Sequence, residues 1–277
     1  MIRAAAEQES VSFKVSEPHS RFQVDDAPPD MVLNLRYGPL PPVPLDQVIF
    51  APGGRWGLYR NGRQFFLAMD TPQQPKRLAI ADQSFSRVEV FLQPSAENQG
   101  RDHINIDPFE YPLDEVLFVN FLAREKGVII HSCGVDDGGR GVLFVGSSGA
   151  GKSTTARIWQ KTDVSILSDD RIIVRRMGGR FRMYGTPWHG DANASCQGSA
   201  PLERLYFLQH ASQNYVRDVT AADATARLLV RCFPPFYDRA GMAFTLELLA
   251  QIAAEVPCYE LGFVPDQSIV DFVRMQR

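Results

Sequence analysis

The chain has 277 residues, of which 44% are hydrophobic and 22% charged, and its formal net charge is −3. This length can hold one large domain or two modest ones, and the lack of a basic excess argues against nucleic acid or an anionic membrane as a partner. No apolar run is long enough to span a bilayer, the N-terminus lacks a signal-peptide core, and the four cysteines form no C-x-x-C pair, so a cytoplasmic protein with free thiols is expected.

Residues 1–105 are predicted to form a small, mostly β module without a catalytic pattern. Its strongest local signal is a hairpin over residues 56–69, in which Asn61-Gly62 suits the positive φ angles of a type I′ turn. The polar stretch at residues 94–101 is typical of a loop or linker. Further short strands are predicted from alternating patterns at residues 11–15, 31–35, 77–80 and 87–92.

Residues 106–277 are predicted to form a second domain, which starts with an amphipathic helix from Leu113. Strands at residues 127–135 and 141–145 are joined by a turn of about five residues, so they should be antiparallel neighbours. Neighbouring strands of the common doubly wound P-loop fold are instead mostly parallel. Later strands are predicted at residues 164–167, 172–176, 181–184, 205–208 and 259–263, and helices at residues 153–161, 220–233, 239–256 and 267–277.

A glycine-rich stretch follows the strand at residues 141–145 and fits G-x-x-x-x-G-K-[ST], the phosphate-binding P-loop. Its glycines let backbone N–H groups turn toward a polyphosphate, and the next helix points its positive end at the anion. Lys152 suits the outer phosphates of ATP, and the hydroxyl of Ser153 suits Mg²⁺. The predicted nucleotide-binding residues are Gly146, Ser147, Ser148, Gly149, Ala150, Gly151, Lys152, Ser153 and Thr154.

An acidic pair, Asp169-Asp170, ends an apolar strand soon after the P-loop helix. Because adjacent residues at a strand end point to different sides, one carboxylate is expected to face the metal and the other an acceptor hydroxyl. His131, on the strand beside the P-loop strand, is either a hydrogen-bonded core residue or a proton-handling group. Trp188-His189 lies in a loop bounded by proline and glycine, which suits either surface packing or substrate contact.

The order and spacing of His131, the P-loop and Asp169-Asp170 resemble those of bacterial HPr serine kinase/phosphorylase. Residues 113–208 are also similar to the wider set of HPr-kinase-like proteins, which are built on the phosphoenolpyruvate carboxykinase nucleotide-binding fold. The resemblance implies an α/β fold with a mixed, partly antiparallel sheet. It also implies that Asp169 acts on the acceptor hydroxyl, assisted by His131, while Ser153 and Asp170 lie at the metal.

The expected function is therefore an ATP- and Mg²⁺-dependent kinase that phosphorylates a serine-like hydroxyl on a protein, a peptide or a small molecule. Thr154 stands where HPr kinases usually carry glutamate, so the acceptor is left open. Family members are often oligomeric, which allows a homo-oligomer here. The alternatives are a nucleotide-binding regulatory or scaffold protein without phosphotransfer, and a P-loop ATPase or GTPase. The missing N-K-x-D motif argues against a GTPase, and the short interval from Lys152 to Asp169 argues against a doubly wound fold.

Overall fold

The computed structural model describes residues 1–9, 11–25, 27–44, 47–71, 74–94 and 104–276. The chain forms two compact units, Met1–Phe121 and Leu122–Arg277. The predicted α/β class is confirmed, because five helices occur in the described residues together with sheets whose strands run in both directions. None of the described helices is long and apolar enough to cross a membrane. Most of the predicted loop at residues 94–101 lies outside the described residues.

The first unit consists mainly of strands. In chain order they are β1 (Ile2–Ala6), β2 (Val11–Phe13), β3 (Met31–Tyr37), β4 (Val48–Phe50), β5 (Trp56–Asn61), β6 (Gln64–Met69), β7 (Arg77–Ala81), β8 (Arg87–Leu92) and β9 (Ile104–Ile106). A 3-10 turn, His19–Phe22, precedes β3. In the described part of this unit, seven strands form one sheet in the order β1-β3-β8-β7-β6-β5-β4, and β2 pairs with β9. Alternate residues of β3, such as Leu33 and Leu35, are buried, as expected for a strand with one face on a core.

The predicted hairpin between β5 and β6 is present, but its turn differs from the prediction by one residue. Asn61 pairs with Gln64 across the ladder, so Gly62 and Arg63 form the turn. Gly62 has a φ angle of +59°, whereas Asn61 remains in the strand without a positive φ. The predicted Asn-Gly turn is therefore wrong. The residue that must adopt a positive φ is the one that lacks a Cβ.

The second unit combines helices with one eight-stranded sheet. Its strands are β10 (Val128–Asp136), β11 (Gly141–Val145), β12 (Ser165–Ser168), β13 (Arg171–Met177), β14 (Arg180–Tyr184), β15 (Ser199–His210), β16 (Tyr215–Asp218) and β17 (Cys258–Phe263). They lie in the order β11-β10-β13-β14-β15-β17-β16, in which β12 also pairs with β10 and β11 with β15. The helices of the described residues are α1 (Leu113–Leu122), which lies almost entirely in the first unit, and α2 (Lys152–Trp159), α3 (Ala221–Leu229), α4 (Arg239–Glu255) and α5 (Ser268–Met275) in the second. The helix predicted over residues 220–233 ends at Leu229, because residues 231–233 hydrogen-bond to β10 instead.

Strand β11 lies at the centre of the second unit. It is antiparallel to β10, as the short turn predicts, and parallel to β15, so it has a paired strand on each edge. All five of its residues are buried. Leu143 and Val145 join the hydrophobic cluster that includes residues of α3 and α4. Val142 and Phe144 join the cluster that includes residues of α2 and α5, so the loop after β11 starts from a strand held on both edges and both faces.

Truncation of a buried leucine in α4 tests the packing of the second unit. Leu249 is fully buried, whereas Leu246 on the same helix is 39% exposed. We expect Leu249→Ala to lower the free energy of unfolding by about 2–5 kcal/mol, because the surrounding side chains relax only partly into the cavity. Leu246→Ala is the matched control and should change it by less than about 1 kcal/mol. Denaturant titration followed by circular dichroism measures both, and equal losses would contradict this packing.

Candidate functional site

The glycine-rich loop, residues 146–151, connects the end of β11 to α2. Two of its glycines have left-handed backbones, with φ angles of +79° at Gly149 and +104° at Gly151. A Cβ on Gly151 would also lie 2.5 Å from Cζ of Phe263. Residues 147–149 are exposed. An exposed loop with this backbone can present N–H groups to an anion without obstruction from side chains.

Lys152 begins α2, and its ammonium group lies at the start of the glycine-rich loop. Nζ donates hydrogen bonds to the carbonyl oxygens of Gly146 and Ser147, both at 3.0 Å. Burial lowers the pKa of Lys152, and the charge of Arg231 acts in the same direction, against the attraction of Asp170. An ammonium has three N–H donors, and these two carbonyls are its only acceptors among the described residues. One donor therefore remains for an anion.

Asp169 is a buried carboxylate with four hydrogen-bond donors. Its Oδ2 accepts from the hydroxyl of Ser153 at 2.8 Å and from the N–H of Ala192 at 3.0 Å. Its Oδ1 accepts from the N–H groups of Gly190 at 2.8 Å and Ala194 at 3.2 Å. Because Asp169 is only 1% exposed, these donors compensate for the loss of water around the charge. The carboxylate thereby links the first turn of α2 to the loop that follows β14.

Asp170 instead contacts His131 on β10. Nδ1 of His131 lies 3.2 Å from Oδ1 of Asp170 and 3.0 Å from its backbone oxygen. Because both of these neighbours are acceptors, Nδ1 carries the proton, and Nε2 is the acceptor of the neutral ring. Nε of Arg171 donates to Oδ2 of Asp170 at 3.1 Å. Burial alone would raise the pKa of Asp170, but the hydrogen bond from His131 and the charge of Arg171 outweigh burial and lower it.

Two aromatic rings hold Arg171 beside the acidic pair. Its guanidinium carbon lies 5.2 Å from the ring centre of Trp188 and 4.5 Å from that of Phe233, within cation–π distance of both. Phe233 also makes an edge contact with the ring of His131, at 6.3 Å between centroids. Of the two loop residues that the sequence left open, Trp188 therefore lies in this cluster, whereas His189 is exposed.

A cavity of about 410 Å³ opens beside the glycine-rich loop. It is lined by residues of that loop, by residues 207–210 at the end of β15, and by Arg227 and Arg231. Arg227 is ion-paired with Asp223 at 2.9 Å and Glu260 at 3.0 Å. The volume falls in the range of small-molecule sites.

The predicted metal ligands do not form a complete protein cage. Among the described residues, no group of three or more His, Cys, Asp or Glu side chains is arranged to hold a metal ion. Ser153 contacts Asp169 rather than Asp170. A hydroxyl and a carboxylate in contact are oxygen donors of the kind that Mg²⁺ prefers, and this ion usually completes its shell with waters and substrate phosphates. The hydroxyl oxygen of Ser153 therefore fits as one Mg²⁺ ligand, whereas both oxygens of Asp169 are already occupied by its four donors.

Sequence reasoning missed the loop after β14 and two arginines. The run of small residues that starts at Gly190 was a usable signal for a tightly packed loop. The structure gives the reason, because a Cβ on Gly190 would lie 2.8 Å from Oδ2 of Asp169. Arg171 directly follows the acidic pair and could have been considered with it. No local signal marked Arg231, whose place at the cavity depends on a strand pairing distant in the sequence.

Comparison with known proteins concerns the same region. Residues 113–234 match the sequence model of a family described as ScmC, SynChlorMet cassette protein ScmC. The matched segment is less than half of the chain. It includes the glycine-rich loop, His131, the acidic pair and Arg231. No curated protein matches the chain.

The four hydrogen bonds of Asp169 predict a structural role that its neighbours do not share. Asp169→Asn replaces one acceptor oxygen by an N–H₂ group and leaves at least one buried donor without an acceptor. We expect the free energy of unfolding to fall by about 1–3 kcal/mol. Asp163→Asn makes the same chemical change at an exposed position and should have little effect. Denaturant titration of both variants measures this, and equal stability of the two would argue against the four-donor arrangement.

Proposed function

We propose that this protein is an ATP- and Mg²⁺-dependent kinase that transfers the γ-phosphoryl group to a hydroxyl. The proposal includes an HPr-kinase-like core of the phosphoenolpyruvate carboxykinase type. The observation that carries it is a pair of hydrogen-bonded couples, Ser153–Asp169 and His131–Asp170, near the loop that holds Lys152. Phosphoryl transfer needs groups that bind the phosphates and others that position the acceptor, and the two couples meet these two needs.

The phosphate side is formed by the glycine-rich loop acting as a P-loop. Its backbone N–H groups and the Lys152 ammonium would bind phosphate oxygens. On binding, Nζ of Lys152 would replace its hydrogen bonds to the carbonyls of Gly146 and Ser147 by hydrogen bonds to phosphate oxygens. Ser153 would contribute its hydroxyl oxygen to Mg²⁺, which supplies positive charge to the phosphate oxygens, while Asp169 would hold that hydroxyl through its hydrogen bond. The buried hydrogen bonds of Asp169 keep the Ser153 hydroxyl in place before the nucleotide arrives.

The acceptor side is formed by His131 and Asp170. Asp170 orients the ring through Nδ1, so that Nε2 can take the proton of the acceptor hydroxyl. Asp169 suits this task less well, because its carboxylate is 1% exposed and already accepts four hydrogen bonds. This distribution exchanges the roles that the resemblance to HPr kinases implies for the two aspartates.

The acceptor is proposed to be a serine-like hydroxyl on a protein, a peptide or a small molecule. The similarity of residues 113–234 to a cassette protein supports a search among the products of genes that neighbour this one. Incubation with γ-labelled ATP and Mg²⁺, with host lysate or those products as acceptors, tests the proposal. Transfer of label to an acceptor is the expected result. Binding of Mg²⁺-ATP without transfer to any acceptor would favour a regulatory nucleotide-binding protein instead.

His131 and Asp170 should act as a unit in this transfer. We expect Asp170→Asn and His131→Gln each to lower the rate by about 10²–10⁴-fold, because each removes part of one proton-handling pair. The double variant should lose little more than His131→Gln alone, since residues that act together are not additive. ATP affinity should stay within about threefold of the wild type, because neither side chain belongs to the proposed phosphate-binding set.

Rates of label transfer and nucleotide titrations measure these effects, with Asp163→Asn as the exposed control. Losses that multiply in the double variant would show that the two residues act separately. Full activity of Asp170→Asn would remove Asp170 from the reaction.

A further inference from the structure

We infer that a second, smaller cavity in the unit Leu122–Arg277 binds a small molecule with a single carboxylate group and a short apolar tail. The cavity has a volume of about 50 Å³. Because one water needs about 10–15 Å³ on this measure, there is room for roughly three to five heavy atoms, which excludes a nucleotide. The inference is carried by the excess of cations around this cavity and by a buried N–H group in its wall that has no acceptor.

The cavity lies at the ends of β11 and α2 that are away from the glycine-rich loop. Val142, near the start of β11, lines the cavity, whereas the loop begins at Gly146, about 13 Å further along an extended chain. Trp159 ends α2 and also lines the cavity, about 10 Å along the helix from Lys152. None of residues 146–151 belongs to its lining. The inference therefore does not rest on the proposed function.

The charged side chains that line the cavity leave one positive charge in excess. Three guanidinium groups and two carboxylates contribute to the lining. Asp137 accepts from Arg274 through both oxygens, at 3.0 and 2.7 Å, and from Arg140 at 3.4 Å. Glu203 is exposed, so water solvates its charge. The remaining guanidinium, that of Arg204, forms no ion pair with a carboxylate of the described residues.

The surroundings of Arg204 favour an anion at this position. Arg204 and Tyr206 are two residues apart on β15, so their side chains lie on the same face of the sheet. Burial raises the pKa of Tyr206, and the charge of Arg204 opposes this shift, as expected for a guanidinium near the hydroxyl. The hydroxyl is neutral and does not balance that charge. Because Arg204 is also half-buried, an anion in the cavity would replace the water that its guanidinium has lost.

The indole N–H of Trp159 is a second donor without a partner. Trp159 is 0% exposed, and its Nε1 has no hydrogen-bond acceptor among the described residues. An indole N–H can only donate, so an acceptor in the cavity is needed to satisfy it. The guanidinium carbon of Arg274 lies 5.5 Å from the centre of the same ring. A water would satisfy the indole but not the excess charge, whereas an anion can satisfy both.

Charge and shape select a carboxylate among the small anions. A monoanion neutralises one excess positive charge, whereas a dianionic phosphate or sulfate would leave a negative charge unbalanced. The two coplanar oxygens of a carboxylate also match the planar donors of Arg204. Val142 and Val273 are buried residues of the cavity wall and offer apolar surface to a short hydrocarbon tail.

Nuclear magnetic resonance of the ¹⁵N-labelled protein tests the inference, with propionate as the probe. The chain has three tryptophans, and the indole N–H signal that disappears in Trp159→Phe belongs to Trp159. We expect propionate to shift this signal in a saturable way. Propionamide has nearly the same shape without the charge and should bind at least about tenfold more weakly. Sulfate should also bind more weakly than propionate.

Substitution of Arg204 tests its role as the carboxylate partner. We expect Arg204→Gln to weaken propionate binding by about 10- to 100-fold, because it removes the charge and the charge-assisted hydrogen bonds. Arg204→Lys should lose less, since it keeps the charge but not the planar pair of donors. The matched control is Arg217→Gln, which removes the same charge at an exposed position of β16 outside the cavity and should leave binding unchanged. Unfolding curves of all variants should overlap that of the wild type.

Each of the other outcomes overturns part of the inference. A Trp159 signal that propionate does not shift would remove the site. Equal binding of propionate and propionamide, or unchanged binding in Arg204→Gln, would overturn recognition of the carboxylate, and tighter binding of sulfate would overturn the choice of a monoanion. The comparisons with propionamide and sulfate use the wild type, so they decide the matter even if Arg204→Gln does not fold. Failure of the chain to bind a nucleotide would overturn the proposed function and leave this inference intact.

Discussion

The site depends first on the buried carboxylate of Asp169. A carboxylate that is 1% exposed would be strongly destabilising without partners, and this one has four donors. One donor comes from Ser153 in α2, and three come from backbone N–H groups of residues 190–194. The backbone N–H of Asp169 also donates to the carbonyl of Ala194 at 3.1 Å. The position of the loop, the helix and the acidic pair is therefore determined by one charge that must be solvated by protein groups.

A second constraint is the shared edge of β10. β11 pairs with one part of this edge, and residues 231–233 pair with the part that β11 leaves unpaired. Pairing satisfies backbone groups that would otherwise be buried without partners. It also brings Arg231 and Phe233, which follow α3, next to His131. The short helix end and the following prolines, Pro234 and Pro235, prevent α3 from continuing and favour this extended pairing.

As a result of these two constraints, the carboxylates of the site have their hydrogen-bond partners within the protein, whereas the cations near the glycine-rich loop have few. Each aspartate is already satisfied, Asp169 by hydroxyl and backbone donors and Asp170 by His131 and Arg171. The cations near the loop are not: Lys152 contacts only two carbonyls among the described residues, and Arg231 only one. In the proposed function these cations would bind the phosphates of ATP, because they need little rearrangement to do so.

The sequence by itself determined the features that depend on neighbouring residues. Local periodicity and short turns predict three features of the second unit: the strand, loop and helix around Lys152, the antiparallel pairing of β10 with β11, and the hairpin of β13 with β14. The acidic pair was also recognisable, as was the expectation that its two members face different partners. Only the tertiary structure decided which aspartate contacts Ser153 and which contacts His131, because alternation at a strand end does not say which side is which. The loop at residues 190–194 and Arg231 reach the site through contacts with residues more than twenty positions away, and no local pattern encodes such pairings.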